Sequence, residues 1–148
     1  MKKWVLSFPI ILLAVIAIII ASNHFSKTIN NSDIAQGKQV VKGYFTALQN
    51  EDEEGAKNLL AKHKQGIFET SDKPHSWKPE LISMEYANSS YLYIQPGSYK
   101  SVYGHDPYKT MCLRVTFFDN IGKQENYYYF YLTKETKNDK WVIFDLGY

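Results

Sequence analysis

The chain has 148 residues, and its 17 Lys and Arg against 15 Asp and Glu give a formal net charge of +2 with histidine neutral. Two of the basic residues, Lys2 and Lys3, lie at the amino end, so residues 22–148 carry 15 basic and 15 acidic side chains. This balance excludes the strongly basic surface of a nucleic-acid-binding protein, and nucleic acid is not a predicted partner. The single cysteine, Cys112, excludes an intrachain disulfide and a cysteine-based metal site. It is predicted to be a small buried strand residue, with an intermolecular disulfide as the alternative.

A hydrophobic segment follows the basic start of the chain. Trp4–Ala21 is 18 residues long and has no charged residue, which is long enough to span a bilayer. Because Lys2 and Lys3 precede it, we expect the amino end in the cytoplasm and the rest of the chain outside the membrane. The segment is either a retained single-pass anchor or a signal peptide cleaved after Ala21. Bulky Ile19 makes a poor cleavage site, which favours the anchor.

Residues 22–32 are polar and are predicted to form a stalk between the membrane segment and a domain over 33–148. Residues 22–148 are numerous enough for one domain with a hydrophobic core. Ser32 or Asp33 is expected to cap a helix over Ile34–Gln49. The apolar residues of this helix recur with the spacing of one amphipathic face, namely Val41, Tyr44, Phe45 and Leu48.

The middle of the chain alternates short elements and loops. The acidic residues 50–54 suit the amino end of a second, shorter helix, whose apolar stripe includes Leu59 and Leu60. Gln65–Pro79 is predicted to be a loop. Two short strands are expected at Leu81–Tyr86 and Ser90–Gln95. Pro96–Pro107 has no clear periodicity and is expected to be a long loop.

The last forty residues predict three antiparallel strands, with the sequences TMCLRVTFF, ENYYYFYLT and WVIFDLGY. Asp119–Gly122 fits a type I turn with Gly122 in the left-handed conformation, so that a three-residue loop joins the first two strands. This loop pairs Val115 with Tyr127, Leu113 with Tyr129 and Met111 with Tyr131 on one apolar face that also holds Phe117. The opposite, mixed face then holds Arg114, Thr116 and Tyr128, together with Cys112, Phe118, Asn126 and Phe130. The faces of the last strand are left open.

Helices first and strands after predict an α+β fold, with the amino-terminal helices packed on a curved antiparallel sheet. Two stretches carry a resemblance to known proteins: the helix Val40–Leu48 with the acidic step Asn50–Asp52, and the strands Tyr127–Leu132 and Trp141–Tyr148. They resemble the domain of unknown function 4829 family, within the nuclear-transport-factor-2-like superfamily, over Ile34–Tyr148. The resemblance implies a cystatin-like cone in an exported or membrane-anchored protein of Gram-positive bacteria. Because that family has no assigned activity, it supplies no catalytic residue.

Four residues are candidates for a pocket or its mouth: Tyr99, Tyr103, His105 and Asp145. Some enzymes of that superfamily use a carboxylate base with a tyrosine inside the cone, and Asp145 is the candidate base if it faces inward. The competing interpretation of His105 and Asp106 is an exposed turn before Pro107. The four histidines lack metal-ligand spacing, so no metal and no cofactor is predicted.

Arg114, Thr116 and Tyr128 are the candidate binding surface, because an aromatic residue among polar neighbours on an open sheet is typical of contact surfaces. A second copy of the chain, another protein or a small ligand outside the membrane is the predicted partner. We therefore expect a membrane-anchored or exported protein with a non-catalytic binding domain. The alternatives are a small-ligand enzyme using the cone, and an accessory module of a cell-envelope or antibiotic-response system.

Overall fold

The structure is a computed structural model that describes residues 28–66, 68, 77–87 and 96–147. Its helices are α1 (Asn31–Gln49), α2 (Glu53–Asn58), α3 (Lys62–Gln65) and α4 (Pro96–Tyr103). Its strands are β1 (Glu80–Tyr86), β2 (Lys109–Asp119), β3 (Gln124–Lys134) and β4 (Val142–Gly147). The strands form one antiparallel sheet in the order β1-β2-β3-β4. The predicted α+β class is confirmed.

Helix α1 begins earlier than predicted. Its cap is Asn30, whose side-chain oxygen accepts a hydrogen bond from the backbone N–H of Asp33 at 2.9 Å. The Asp33 carboxylate in turn accepts one from the backbone N–H of Asn30 at 3.2 Å. This reciprocal pair is a capping box, so the prediction of Ser32 or Asp33 as the cap is wrong, and Asn31 and Ser32 belong to α1.

The apolar stripe of α1 lies against the sheet, as predicted. Val41, Tyr44 and Phe45 are buried and belong to the main core. The Phe45 ring lies 5.6 Å from that of Phe117 on β2 and 5.8 Å from that of Phe130 on β3. Aromatic contacts of this kind add to the free energy gained from burying the apolar area. The face of the sheet toward α1 is therefore the inner face.

The second helix, α2, begins within the acidic residues 50–54, as predicted. Asp52 caps it by accepting a hydrogen bond from the backbone N–H of Gly55 at 2.8 Å. The chain then passes along the outer edge of β4. The N–H of Ile143 donates to the carbonyl of Leu59 at 2.9 Å, and the N–H of Ala61 donates to the carbonyl of Ile143 at 2.8 Å. These bonds occupy part of an edge that would otherwise stay unpaired.

The predicted register between β2 and β3 is wrong by one residue. Val115 pairs with Tyr128, not Tyr127, and Asp119 pairs with Gln124. The loop therefore has four residues, and its left-handed residue is Lys123 at φ 53°, not Gly122.

Contacts from outside the hairpin brace this longer loop. The Asp119 carboxylate accepts a hydrogen bond from the indole N–H of Trp77 at 3.2 Å, in addition to one from the N–H of Ile121 within the loop at 3.0 Å. The side-chain oxygen of Asn120 accepts one from the backbone N–H of Lys78 at 2.7 Å. The segment before β1 thus holds the β2–β3 turn.

The side chains of β2 lie on the faces predicted for them, whereas the side chains of β3 lie on the faces opposite to those predicted. A one-residue shift has this effect because side chains alternate between the two faces of a strand. Leu113 and Val115 are fully buried on the inner face, as expected. Phe130 and Leu132 join them there, and Tyr128 packs against the same core. The tyrosines expected in that core, Tyr127, Tyr129 and Tyr131, lie on the opposite, outer face.

The last strand, whose faces the sequence leaves open, splits its aromatic residues between the two sides. Ile143 pairs with Leu132 and lies in the main core with Trp141. The register shifts at the next position, and Phe144 belongs to a second cluster that also contains Tyr131. A bulge of this kind re-aims a side chain without ending the strand.

The predicted loop Pro96–Pro107 is wrong over its first part, which forms α4. The helix ends at Tyr103 and is followed by Gly104, whose φ of 79° is the left-handed conformation that glycine adopts without strain. Its N–H donates to the carbonyl of Lys100 at 2.8 Å, closing the last turn.

Two predicted elements lie outside the described residues: the strand Ser90–Gln95 and the membrane segment Trp4–Ala21. None of the helices within 28–66, 77–87 and 96–147 has the length and hydrophobicity needed to cross a membrane.

Candidate functional site

The outer sheet face carries large apolar side chains in contact with solvent. Ile82 is 51% exposed, Tyr127 42% and Phe118 39%. Ile82 lies at the β-bulge between Leu81 and Ser83 in β1. We call the surface formed by Ile82, Arg114, Thr116, Phe118, Tyr127 and Tyr129 the open face.

The side chains of the open face are ordered by contacts with one another. Thr116 pairs with Tyr127 across the strands, and Arg114 pairs with Tyr129. The Arg114 guanidinium lies over the Tyr127 ring, 4.5 Å from its centroid. The rings of Tyr127 and Tyr129 meet edge to face at 6.0 Å. Such cation–π and edge-to-face contacts restrict the movement of these side chains.

Of the predicted binding surface, Arg114 and Thr116 lie on the open face and Tyr128 does not. The Tyr128 ring packs edge to face on Phe117 at 5.1 Å, on the side of α1. The structure therefore separates Tyr128 from the two residues predicted to accompany it. Sequence reasoning missed Tyr127 and Tyr129 as surface residues, because the turn pattern at Asp119–Gly122 indicated a three-residue loop and the observed loop has four residues.

A second group of aromatic residues lies where α4 packs on the carboxyl-terminal strand. Tyr99 is 2% exposed, and its ring lies 5.1 Å from Phe144 and 4.7 Å from Tyr103. His63, from α3, stacks on Phe144 at 4.6 Å. Its Nδ1 lies 3.1 Å from the Tyr103 hydroxyl. We call His63, Tyr99, Tyr103, Tyr131 and Phe144 the aromatic cluster.

The structure brings the predicted pocket residues to this one region. His105 contacts Tyr99, with 5.8 Å between the rings, and its Nε2 lies 3.3 Å from the Glu135 carboxylate. Asp145 follows Phe144 in β4 but does not face inward, since its side chain is 44% exposed and pairs with Lys64 at 2.7 Å. The expectation of a buried carboxylate base is therefore wrong for Asp145. Sequence reasoning missed His63, because its partners come from three separate elements.

Burial changes the pKa of several groups in the aromatic cluster. Burial first, and then the charge of Glu135, raise the pKa of Tyr99 to about 12. Burial also raises the pKa of Tyr103 and of Tyr131. The pKa of His63 is lowered by burial and by the charge of Lys64. At neutral pH the tyrosines are therefore protonated and His63 is neutral.

The lone cysteine lies on the outer side of β2, where Cys112 pairs with Tyr131. It is buried, as predicted. Burial raises the pKa of its thiol to about 12, so the thiol is protonated and unreactive at neutral pH. Within the described ranges, no three His, Cys, Asp or Glu residues are grouped so that they could hold a metal ion.

Comparison of the chain with protein-family models, with curated proteins and with solved structures found no match in any of the three. The resemblance to the domain of unknown function 4829 family stays a prediction.

Proposed function

We propose that this chain is a non-catalytic binding module, held outside the cell membrane by its amino-terminal segment, and that the open face is its contact surface. The observation that carries the proposal is the exposure of Phe118 and Tyr127 on a sheet face whose opposite side is a filled core. Exposed apolar groups that neighbour one another on an ordered surface mark sites of association.

The composition of the open face supports a protein partner. Tyr and Arg are the residues that most often anchor protein interfaces, and they contribute most where they are already held in place. Arg114 and Tyr127 meet this condition through their stacking contact. Glu85 lies 3.9 Å from Arg114, so the surface presents both signs of charge around apolar residues.

A second copy of the chain is the partner that this surface fits. A two-fold interface places the same patch on both subunits, so the patch must be complementary to itself. With Arg114 beside Glu85, each residue can meet its opposite charge on the other copy while the apolar residues pack between them. A standard interface buries about 800 Å² on each partner, so a dimer through this face would draw on the residues around the open face as well.

The fold family and the location of the domain belong to the same proposal. The domain is a cone of the nuclear-transport-factor-2-like kind, related to the domain of unknown function 4829 family. It lies on the outer side of the membrane, either tethered or released after cleavage near Ala21. Its role is then that of an accessory module of the cell envelope, which acts by binding.

Sedimentation equilibrium of the full chain in mild detergent micelles tests the contact surface. We expect Phe118→Ser with Tyr127→Ser to raise the dissociation constant of the dimer at least tenfold, or about 1.4 kcal/mol. Val102→Ser is the matched control, because Val102 is 47% exposed but lies on α4. A wild-type chain that is monomeric at about 100 µM, or a double variant that associates as wild type does, contradicts the proposal.

A further inference from the structure

The charged pair of the open face lies in a single row across the sheet. Glu85 on β1 is the cross-strand partner of Arg114 on β2, and Arg114 is in turn the partner of Tyr129 on β3. Cross-strand partners lie on the same face and at the same level along the strands. This position in one row restricts the ways in which a second copy of the chain can cover the pair.

Both charges need a counterpart when a partner covers the open face. The Glu85 side chain is 70% exposed and that of Arg114 43%, and their charged groups are 3.9 Å apart. Burying a charge at an interface without a compensating contact lowers affinity. Among the side chains that β1, β2 and β3 direct to the outer face, Arg114 has the only positive charge. In a dimer through this face, the cation that the other copy brings to Glu85 is therefore Arg114.

The direction of the two-fold axis decides whether these residues meet. An axis that runs along the strands, between β1 and β2, keeps each row at its own level and places β1 of one copy over β2 of the other. Each Glu85 then faces Arg114 of the other copy, because the two residues share a row.

An axis that runs across the strands gives the opposite result. It places each strand over the same strand of the other copy, so Glu85 and Arg114 do not meet. Centred on the row of Thr116, it brings Glu85 opposite Glu80 of the other copy. Like charges placed opposite one another oppose binding.

We propose that the two copies pair in parallel, about a two-fold axis that runs along the strands between β1 and β2, and that the partner is a second copy anchored in the same membrane. This inference rests on the function proposed above, because it specifies the partner of the open face.

The start of α1 links the parallel arrangement to the membrane. The Asp33 carboxylate, in the first turn of α1, lies 2.6 Å from the ammonium of Lys109 at the start of β2. Helix α1 therefore begins at the end of the sheet that is remote from the β2–β3 turn, and a parallel dimer brings both α1 starts to one side. Residues 22–30 join α1 to the predicted membrane segment and reach at most about 30 Å. Two copies in one membrane can then pair with both links directed toward it.

The remaining charges of the face lie in a different row, at its end. Glu80 and Glu125 are exposed and flank Phe118 on the neighbouring strands. In the parallel arrangement Glu80 lies opposite Phe118 of the other copy, at the rim, where its carboxylate keeps contact with water. Glu80 is therefore a matched control for Glu85, because it has the same charge and lies on the same strand but in another row.

Charge exchange tests the row that the two copies share, by sedimentation equilibrium of the full chain in mild detergent micelles. Glu85→Arg should raise the dissociation constant of the dimer at least tenfold, because it places an arginine opposite Arg114 of the other copy. Arg114→Glu should do the same by placing two carboxylates together. A mixture of the two variants should associate about as tightly as the wild type, since every pair across the interface again has opposite charges.

The control variant separates this pairing from a general effect of charge. Glu80→Arg alone should leave the dissociation constant near that of the wild type. Mixed with Arg114→Glu, it should give a weaker mixed dimer than Glu85→Arg gives. Tighter self-association of Glu85→Arg, or equal rescue by Glu80→Arg and Glu85→Arg, overturns the parallel arrangement.

Distances between spin labels test the direction of the axis. Asn138→Cys places a label on the exposed β3–β4 turn, and Ile121→Cys places one at the opposite end of the sheet, where Ile121 is 49% exposed. The native Cys112 is buried and stays unlabelled. From the rise of a strand, a parallel dimer places each pair of labels within about 40 Å, whereas an antiparallel one separates the labels at position 138 by more than about 55 Å.

The outcomes distinguish this inference from the function on which it rests. A chain that does not associate contradicts the proposed dimer, and the parallel arrangement falls with it. A chain that associates through the open face but has its labels at position 138 more than about 55 Å apart contradicts the parallel arrangement alone.

Discussion

At the scale of single residues, the ion pair between Asp33 and Lys109 ties the first turn of α1 to the start of β2. The Lys109 ammonium lies 2.6 Å from the Asp33 carboxylate, and each side chain is only 9% exposed. The same carboxylate oxygen accepts the capping hydrogen bond from Asn30. Removing one partner of such a pair leaves the other charge buried without compensation.

We therefore expect Lys109→Met to lower the free energy of unfolding by about 3 kcal/mol, because Asp33 then keeps its charge without a counterion. The exposed pair of Lys78 with Glu51, with side chains 44% and 61% exposed, supplies the control. Lys78→Met should cost less than about 1 kcal/mol. Urea unfolding of the full chain in mild detergent, followed by tryptophan fluorescence, measures both, and equal effects would contradict this account.

At the scale of elements, the approach of α1 to the sheet depends on Gly37. A Cβ at this position would lie 2.5 Å from Sδ of Met111 and 3.6 Å from Cδ2 of Leu132. Glycine weakens a helix interior by about 1 kcal/mol relative to alanine. The close packing of α1 on β2 and β3 offsets this cost, and it explains why a glycine is found on the buried face of the longest helix among the described residues.

Gly37→Val should destabilise the domain by about 1–3 kcal/mol, since the added methyl groups force α1 away from Met111. This corresponds to a fall of roughly 4–12 °C in melting temperature. Gly66→Val is the matched control, because no atom lies within 4 Å of a Cβ added there. Thermal unfolding followed by circular dichroism checks the pair, and a melting temperature for Gly37→Val that equals that of the control would show that α1 can move aside.

At the scale of the whole molecule, the two faces of the sheet are covered unequally. The inner face is closed by α1 and a continuous core. The outer face is covered at one end by the aromatic cluster and leaves Ile82, Phe118 and Tyr127 in solvent. A domain built this way keeps its stability on one side of the sheet and has the other side available for binding, which is the basis of the function proposed above.

The membrane placement predicts the outcome of a protease experiment on cells stripped of their wall. Because Trp4–Ala21 is uncharged and follows Lys2 and Lys3, added protease should degrade the domain while a cytoplasmic protein stays intact. Protection of the domain until the cells are lysed would reverse the proposed orientation. Recovery of the domain in the medium, not the membrane fraction, would select cleavage after Ala21.

The elements that the sequence predicts well are those whose signal is local and periodic. Val41, Tyr44 and Phe45 mark α1 by their spacing, and alternation in β2 places Leu113 and Val115 on the inner face. The acidic step before α2 contains its cap, Asp52. Each of these patterns depends only on residues that are close in the sequence, so it can be recognised without knowing the fold.

The register of a strand or the position of a helix could not be predicted where it depends on residues distant in the sequence, and only the tertiary structure decided it. Trp77 and Lys78 bind the β2–β3 turn from some forty positions away in the chain, and the four-residue loop they brace places Tyr127 and not Tyr128 on the open face. Helix α4 is short, and the spacing of Tyr99 and Tyr103 is a weak local signal for it. Its position depends on rings from other elements, Phe144 and His63 among them. By itself the sequence determined the class of fold and the inner face of β2. The register of β3 and the aromatic cluster required the folded chain, because the local turn pattern fits a different loop length and the observed register depends on contacts across the molecule.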